Sequence, residues 1–382
     1  MGRPTKIIIQ LDALKHNFSQ VKALAPNSSV LAMVKSNGYG HGIERIALAL
    51  PEADAFGVAC IEEGLLLRKA GIKQPIVLIE GLFHPDELSL AAADNFTLVV
   101  HHEGQVEMLE RNVLFASLPV WLKIDTGMHR LGFAPHQAKE MYQRLLACSS
   151  VKKPIGLMSH FAVADQLSSA HTTQQISRFD AAIKGLSGPH SLCNSAGIIA
   201  WPSAQRDWVR PGLMLYGISP FAAPGAHYSL QPVMSLQSEL IAIRDVAKEE
   251  CVGYGRTWAS PEDMRIGVVA IGYGDGYPQH ARAGTPVLVN GQVCPIIGRV
   301  SMDMLTVDLR TQPIAKVGDP VTLWGKGLPV EKVVEGNHTS AYELLTRITQ
   351  RVKVVTAHIP DAVIASEAKQ SIFETFIRTR ML

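Results

Sequence analysis

The chain has 382 residues, 47% of them hydrophobic and 18% charged, with a formal net charge of +2; this excludes a disordered chain and gives no electrostatic case for nucleic-acid binding. Cys60, Cys148, Cys193, Cys251 and Cys294 lie far apart without a CxxC pair, so neither a disulfide framework nor a zinc site is expected. No run approaches 18 apolar residues, and the N-terminus leads into too few of them for a signal peptide, so the expectation is a soluble cytoplasmic protein without a membrane partner.

In chain order, the first pattern is a helix over 12–25, with Asp12 as its cap. Short apolar runs follow at 31–35, 55–59, 76–80, 97–100, 120–125, 155–160, 190–193 and 207–217. Between them, 61–70, 103–111, 135–148 and 174–186 carry apolar residues at three- and four-residue spacing, the helical period. Eight strand-like runs separated by helices predict a parallel sheet, and eight closes a (β/α)8 barrel. After Pro220-Phe221-Ala222-Ala223-Pro224-Gly225 the rhythm changes. Strand patterns at 234–246, 265–271, 286–289, 293–297, 305–309 and 320–324 succeed one another without long helices. Asn290-Gly291 between two of these is a two-residue hairpin signal.

The expected fold is therefore α/β, with an N-terminal (β/α)8 barrel over 5–230 and a C-terminal mostly-β domain over 231–358. A tail remains over 359–382, where Ala365, Ala368, Ile372 and Phe376 make either a helical stripe or a frayed end.

Working residues of a β/α barrel gather where strands end and loops begin. Lys35 ends the first run, Arg130 follows the fifth, and His160 ends the sixth. Asn194-Ser195-Ala196-Gly197 follows the seventh, and Arg210-Pro211-Gly212 lies within the eighth. Each alone has a bland reading: a surface charge for Lys35, a core histidine for His160, a helix cap for Ser195, a surface ion pair for Arg210. Their recurrence at successive strand ends argues against chance. Ser195 opening a helix and the bare backbone of Gly212-Leu213 offer N–H donors to an anion, where barrels of this kind bind phosphate. With Lys35 as the amine, a phosphate-bearing aldehyde is the economical cofactor, and pyridoxal 5'-phosphate fits that description.

The chain also resembles the bacterial alanine racemases, from about Thr5 to Val355. The resemblance is carried in the barrel by Val34-Lys35-Ser36-Asn37-Gly38-Tyr39-Gly40-His41-Gly42, Lys123-Ile124-Asp125-Thr126-Gly127-Met128-His129-Arg130-Leu131-Gly132, Ser159-His160-Phe161-Ala162, Asn194-Ser195-Ala196-Gly197 and Val209-Arg210-Pro211-Gly212. Beyond the barrel, Gly272-Tyr273-Gly274-Asp275-Gly276-Tyr277 and Gly298-Arg299-Val300-Ser301-Met302-Asp303-Met304 carry it. Many members have alanine where Ser36 and Gly38 stand, and some have cysteine where Ser301 stands; these are small-for-small changes.

The resemblance implies a pyridoxal-phosphate-dependent isomerase that interconverts L- and D-alanine with two bases, supplying D-alanine for cell-wall peptidoglycan or degrading it. It makes Lys35 the Schiff-base lysine and one base, and Tyr273 the other. A tyrosine needs neighbouring positive charge to work as a base at neutral pH, and the resemblance has His160 bridging Tyr273 to Arg210. Tyr39, Ser195, Gly212, Leu213 and Tyr342 match phosphate contacts, with Asn194 beside them. Arg210 matches the residue facing the ring nitrogen; a guanidinium only donates, so that nitrogen stays unprotonated. Arg130 matches a contact to both the substrate carboxylate and the cofactor's phenolic oxygen, Met302 matches a backbone contact to the substrate carboxylate, and Lys123 matches a lysine carbamylated in some members. Family members share sites across a homodimer, with Tyr273 and Met302 given by the partner subunit. The rival readings are a racemase for serine or lysine and a non-catalytic barrel that only binds pyridoxal phosphate. A decarboxylase on a similar barrel would need an acid where Arg210 stands.

Overall fold

Runs of β-branched residues buried on both faces suit a parallel sheet wrapped by helices, and alternating runs suit an antiparallel one. Both kinds occur here, in separate units. The computed structural model describes residues 2–221 and 229–357; the expected tail over 359–382 and most of the Pro220–Gly225 stretch lie outside these.

The first strand, β1 (Lys6–Gln10), belongs to the C-terminal sheet. Eight parallel strands then form a closed barrel: β2 (Ser29–Met33), β3 (Ala55–Val58), β4 (Ile76–Leu78), β5 (Phe96–Val100), β6 (Leu118–Lys123), β7 (Val151–Met158), β8 (His190–Ser191) and β9 (Trp208–Val209). The ring closes where Ser29 and Val30 pair with Trp208 and Val209. All eight expected runs are thus strands. Most of their ends fall short of expectation; the sixth stops at Met158, so His160 lies on the following loop and does not end the strand. The first strand stops at Met33, two residues short of Lys35, and the eighth stops at Val209, because Pro211 has no N–H for a ladder. Arg210 therefore sits on a loop rather than within a strand.

The helix expected over 12–25 is Leu11–Leu24, which puts Asp12 inside its first turn instead of at the cap. The helix expected over 174–186 is His171–Ala182, with Thr172, Gln175 and Phe179 as its buried face. Glu87–Ala93 and Ile43–Leu48 are further short helices that were not expected.

The remaining strands are β10 (Met234–Val246), β11 (Cys251–Val252), β12 (Trp258–Ala259), β13 (Met264–Val269), β14 (Pro286–Val289), β15 (Gln292–Ile297), β16 (Leu305–Asp308), β17 (Pro320–Trp324) and β18 (Lys353–Ala357). One sheet runs in the order β13-β16-β15-β14-β17-β10-β1-β18, and β13 also pairs with β10; β11 and β12 pair separately. The Asn290-Gly291 hairpin is present, with Val289 opposite Gln292 and both turn residues at positive φ (51° and 79°).

The expected division at 230/231 falls at Gln231/Pro232, but the chain up to Lys15 groups with the C-terminal unit instead of the barrel. The reason is β1. Its residues alternate between half-buried and buried, with Ile7 and Ile9 at 2% and 0% exposure, and it pairs with β10 antiparallel and with β18 parallel. Among the described residues no helix is long and apolar enough to cross a membrane.

Ile9→Ala should cost about 2–5 kcal/mol, the usual loss for truncating a buried isoleucine, whereas Ile8→Ala on the half-buried face should cost clearly less. Urea midpoints of the two variants check this; equal losses would contradict the register of β1.

Candidate active site

Lys35 opens a turn whose backbone has the uncommon hand. Ser36, Asn37, Gly38 and Tyr39 have φ between 53° and 61°, and Gly40 has φ 80°. Left-handed backbone costs an L-residue roughly 1–2 kcal/mol, so the turn needs restraint. Gly38 N–H donates to the Val34 carbonyl (2.7 Å), Gly40 N–H to Ser36 (3.0 Å), and Gly42 N–H to Asn37 (2.9 Å). The Asn37 side chain accepts from Ile43 N–H at 3.0 Å. Glu63 accepts from Asn37 N–H at 3.3 Å and from Ala59 N–H at 2.9 Å. One turn thereby presents both Lys35 and Tyr39.

The Tyr39 ring is buried and stacks on Tyr216 with centroids 4.7 Å apart. Tyr216 is itself fixed by donating its hydroxyl to the Met33 carbonyl at 2.9 Å. The Tyr39 hydroxyl lies so close to Gly212 that a Cβ there would come within 2.6 Å of it. Only glycine leaves that space. On the neighbouring loop, Asn194 caps the helix Ser195–Ala200 by accepting from Gly197 N–H at 3.0 Å. Ser195 Oγ accepts from Gly212 N–H (3.0 Å) and Met214 N–H (3.3 Å), tying together the loops after the last two barrel strands. Tyr39, Asn194, Ser195, Gly212 and Leu213 are therefore gathered at one end of the barrel.

Four cations share this end. Arg210 is buried, donating Nη1 to Ser191 Oγ (2.5 Å) and Nη2 to the carbonyls of Ser159 (2.6 Å) and Leu192 (3.2 Å). Burial pulls its guanidinium down to about 10, which leaves it charged at neutral pH. Arg210 Nη2 also lies 3.3 Å from His160 Nδ1. Since the guanidinium has no acceptor, Nδ1 must accept and the proton must sit on Nε2. Burial, then the charges of Arg210, Lys123, Arg130 and Lys35, hold His160 well below the usual histidine range, so this neutral tautomer persists.

Lys123, buried at the end of β6, is brought down to about 8 by desolvation and by Arg210, Arg130 and Lys35; Glu80 opposes the shift. Arg130 is exposed beside Lys123 and His160 on the loop after β6. That loop is shaped by Asp125, whose Oδ1 accepts from the N–H groups of Gly127, Met128 and His129 at 2.9–3.1 Å. Burial alone would raise the Asp125 carboxyl, but these donors hold it below the ordinary range.

On the C-terminal unit, Tyr273 begins the short turn Tyr273–Asp275, and Met302, 53% exposed, lies on the adjoining loop. Tyr342 is half-exposed on the helix Ala341–Thr346, whose Ser340 cap accepts from Glu343 N–H at 3.2 Å.

Comparison with known proteins matches residues 9–220 to the family description "Alanine racemase, N-terminal domain" and residues 233–356 to "Alanine racemase, C-terminal domain". The chain belongs to the alanine racemase family. It is 54% identical over 364 residues to an alanine racemase of Coxiella burnetii, covering 93% of this chain and 99% of that protein. It is 51% identical over 348 residues to a biosynthetic alanine racemase of Escherichia coli, covering 91% and 97% of the two chains. The crystal structure of the biosynthetic alanine racemase from Pseudomonas aeruginosa superposes with a TM-score of 0.91 at 44% identity, covering 94% of this chain and 100% of that one. The resemblance and the two-part fold expected from the sequence are borne out.

Sequence reasoning passed over several residues that support this cluster. Ser159 and Ser191 orient Arg210, Glu63 restrains the left-handed turn, and Tyr216 backs Tyr39. Ser159 lay inside a recognised motif; Glu63, Ser191 and Tyr216 carried no local signal. His41 is a further buried member of the Lys35 motif, its Nδ1 2.8 Å from the Tyr39 carbonyl, and burial lowers it to about 4.

His41 and His160 both take up protons more readily in the unfolded chain. Stability should therefore be full above about pH 6.5 and fall as pH is lowered toward the folded values. His41 alone should remove about 2 kcal/mol between pH 7 and pH 5. Urea unfolding at the two pH values checks this, and an unchanged midpoint would contradict the burial of both rings.

Proposed function

We propose that the chain is a cytoplasmic alanine racemase that holds pyridoxal 5'-phosphate at the barrel end and moves protons with Lys35 and Tyr273. The observation that carries the reading is the single left-handed turn that presents an amine at Lys35 and seats the Tyr39 hydroxyl on the bare Cα of Gly212. That cradle suits a molecule with an aldehyde at one end and a phosphate at the other. When bound, the cofactor supplies a carbonyl for attachment of the amino acid and a conjugated ring that draws electron density from its α-carbon.

The chain's own residues do the rest. The Tyr39 hydroxyl and the loops of Ser195 and Gly212-Leu213, with Asn194 setting the first, bind the phosphate; Tyr342 is a further contact implied by family likeness. Arg210, held by Ser159, Ser191 and Leu192, points only donors inward and so leaves the ring nitrogen without a proton. Arg130 and the Met302 backbone N–H hold the substrate carboxylate. Inversion needs a proton removed from one face of the α-carbon and returned to the other, beyond the reach of one base. Lys35 serves the D face and Tyr273 the L face. His160 has its Nε2–H left to donate toward the tyrosine.

Lys123, held to about 8, has an appreciable neutral fraction near pH 7, and that amine can add carbon dioxide with release of a proton. The resulting carbamate exchanges a cation for an anion next to Arg130. Tyr273 and Met302 act in the reading on the partner's Lys35, in a homodimer with shared sites. The five cysteines are free, as suits the cytoplasm.

Borohydride treatment of the holoenzyme should fix a pyridoxyl group on the peptide containing Lys35, detected by mass spectrometry, and Lys35→Ala should lose both this label and racemisation. A label on another lysine would sink the assignment.

Shared sites have a separate signature. Lys35→Ala and Tyr273→Phe homodimers each contain two defective sites, but a mixed dimer contains one site with neither defect. Random exchange makes half the dimers mixed, so co-refolding should restore roughly a quarter of wild-type activity. No recovery, with subunit exchange proven, would place both bases on one chain.

A further inference from the structure

Tyr273 and Met302 occupy two loops of the C-terminal unit that are joined backbone to backbone. Tyr273 N–H donates to the Ser301 carbonyl at 3.1 Å, and Gly274 N–H donates to the Met302 carbonyl at 2.8 Å. A Cβ at position 272 would fall 2.2 Å from the Ser301 oxygen, so glycine there permits the approach. Beneath this junction lies Asp275, fully buried at 0% exposure. Its Oδ2 accepts from Gly272 N–H at 3.0 Å, closing the turn that presents Tyr273, and from Arg3 Nη2 at 2.8 Å. Its Oδ1 lies 3.5 Å from Arg351 Nε, within ion-pair range.

Both arginines continue to the second loop. Arg3 donates to the Asp303 carbonyl, and Arg351 Nη2 donates to Asp303 Oδ1 at 2.6 Å. Asp303 is the residue after Met302. The arginines come from neighbouring parallel strands, Arg3 from just before β1 and Arg351 from just before β18. Thr349 adds its N–H to the Asp275 carbonyl (3.1 Å) and its Oγ1 to the Gly274 carbonyl (2.9 Å). A buried carboxylate between two arginines is an expensive way to fill space, since apolar packing of equal volume serves stability as well or better. Its position at the base of two functional loops accounts for it.

We propose that Asp275 is a positioning residue for racemisation: through Arg3 and Arg351 it locks the Tyr273 loop to the Met302 loop, so that the base and the carboxylate-binding backbone form one rigid pair. This rests on the reading of Tyr273 as the L-face base. A loosened pair misplaces the tyrosine while leaving Lys35, on the barrel unit, undisturbed. The damage therefore appears on one face of the α-carbon.

The test is single-turnover deuterium exchange at the α-carbon of L-alanine and of D-alanine, in holoenzyme carrying Tyr273→Phe, Asp275→Asn, both together, or Arg351→Met. Asp275→Asn should slow exchange from L-alanine roughly tenfold more than from D-alanine, the scale of coupling within one polar network. Tyr273→Phe should shift the ratio the same way, and the double variant should shift it no further than Tyr273→Phe alone. Arg351→Met, changed at a partly exposed site, should shift it less, and it decides the matter if Asp275→Asn does not fold. Equal losses from both enantiomers in the network variants, beside a biased Tyr273→Phe, would overturn the positioning role. Biases that multiply in the double variant would do the same. An unbiased Tyr273→Phe would remove the reading of Tyr273, and the proposal with it.

Discussion

Positive charge gathered in a small, largely buried space is the condition on which the barrel site depends. Lys35, Lys123, Arg130 and Arg210 all bear on His160, with Glu80 as the opposing charge acting on Lys123. Burial, reinforced by this field, keeps the imidazole neutral, and the arginine beside it then dictates which ring nitrogen carries the proton. Lys123, held to about 8, sheds part of its charge near neutral pH. The remaining excess favours anions at this end of the barrel, because an anion relieves repulsion that the folded chain otherwise endures. The neutral imidazole and the lowered Lys123 amine are consequences of burial and this field together.

Rigidity complements that field. A left-handed turn of four non-helical residues survives only because Asn37, Glu63 and the backbone around them over-determine it. A relaxed turn would separate Lys35 from Tyr39, which the one turn now presents together. The C-terminal unit solves its own placement problem differently, with a buried carboxylate and two arginines in place of strained backbone.

Much of this was legible in the sequence, for identifiable reasons. The barrel strands announce themselves because both faces of each are buried, giving dense apolar runs; the hairpin at Asn290-Gly291 announces itself because few residues tolerate positive φ. Lys35, Arg210 and His160 stood out by recurring near expected strand ends, and likeness to a family suggested the roles proposed for them. The hand of the turn after Lys35 was hidden, since glycine-rich sequence permits many conformations and selects none. The linkage of Asp275 to Arg3 and Arg351 was hidden for another reason. It joins residues 272 and 76 positions apart, although an acid set among the glycines of Gly272-Tyr273-Gly274-Asp275-Gly276 was the visible hint. β1 escaped notice because a five-residue run says nothing about a partner more than two hundred residues away.

That distant pairing has a consequence for how the chain is made. Ile9 leaves the ribosome long before Met234, its partner on β10, has been translated. At roughly 5–20 residues per second the wait is on the order of 10–45 s. All the barrel strands, Ser29 to Val209, are translated in that interval, while an isoleucine-rich segment waits with both ladder edges open. Such a segment is a ready template for a neighbouring nascent chain. A fold whose second unit is begun first and finished last therefore leaves this strand without its ladder partners through most of synthesis.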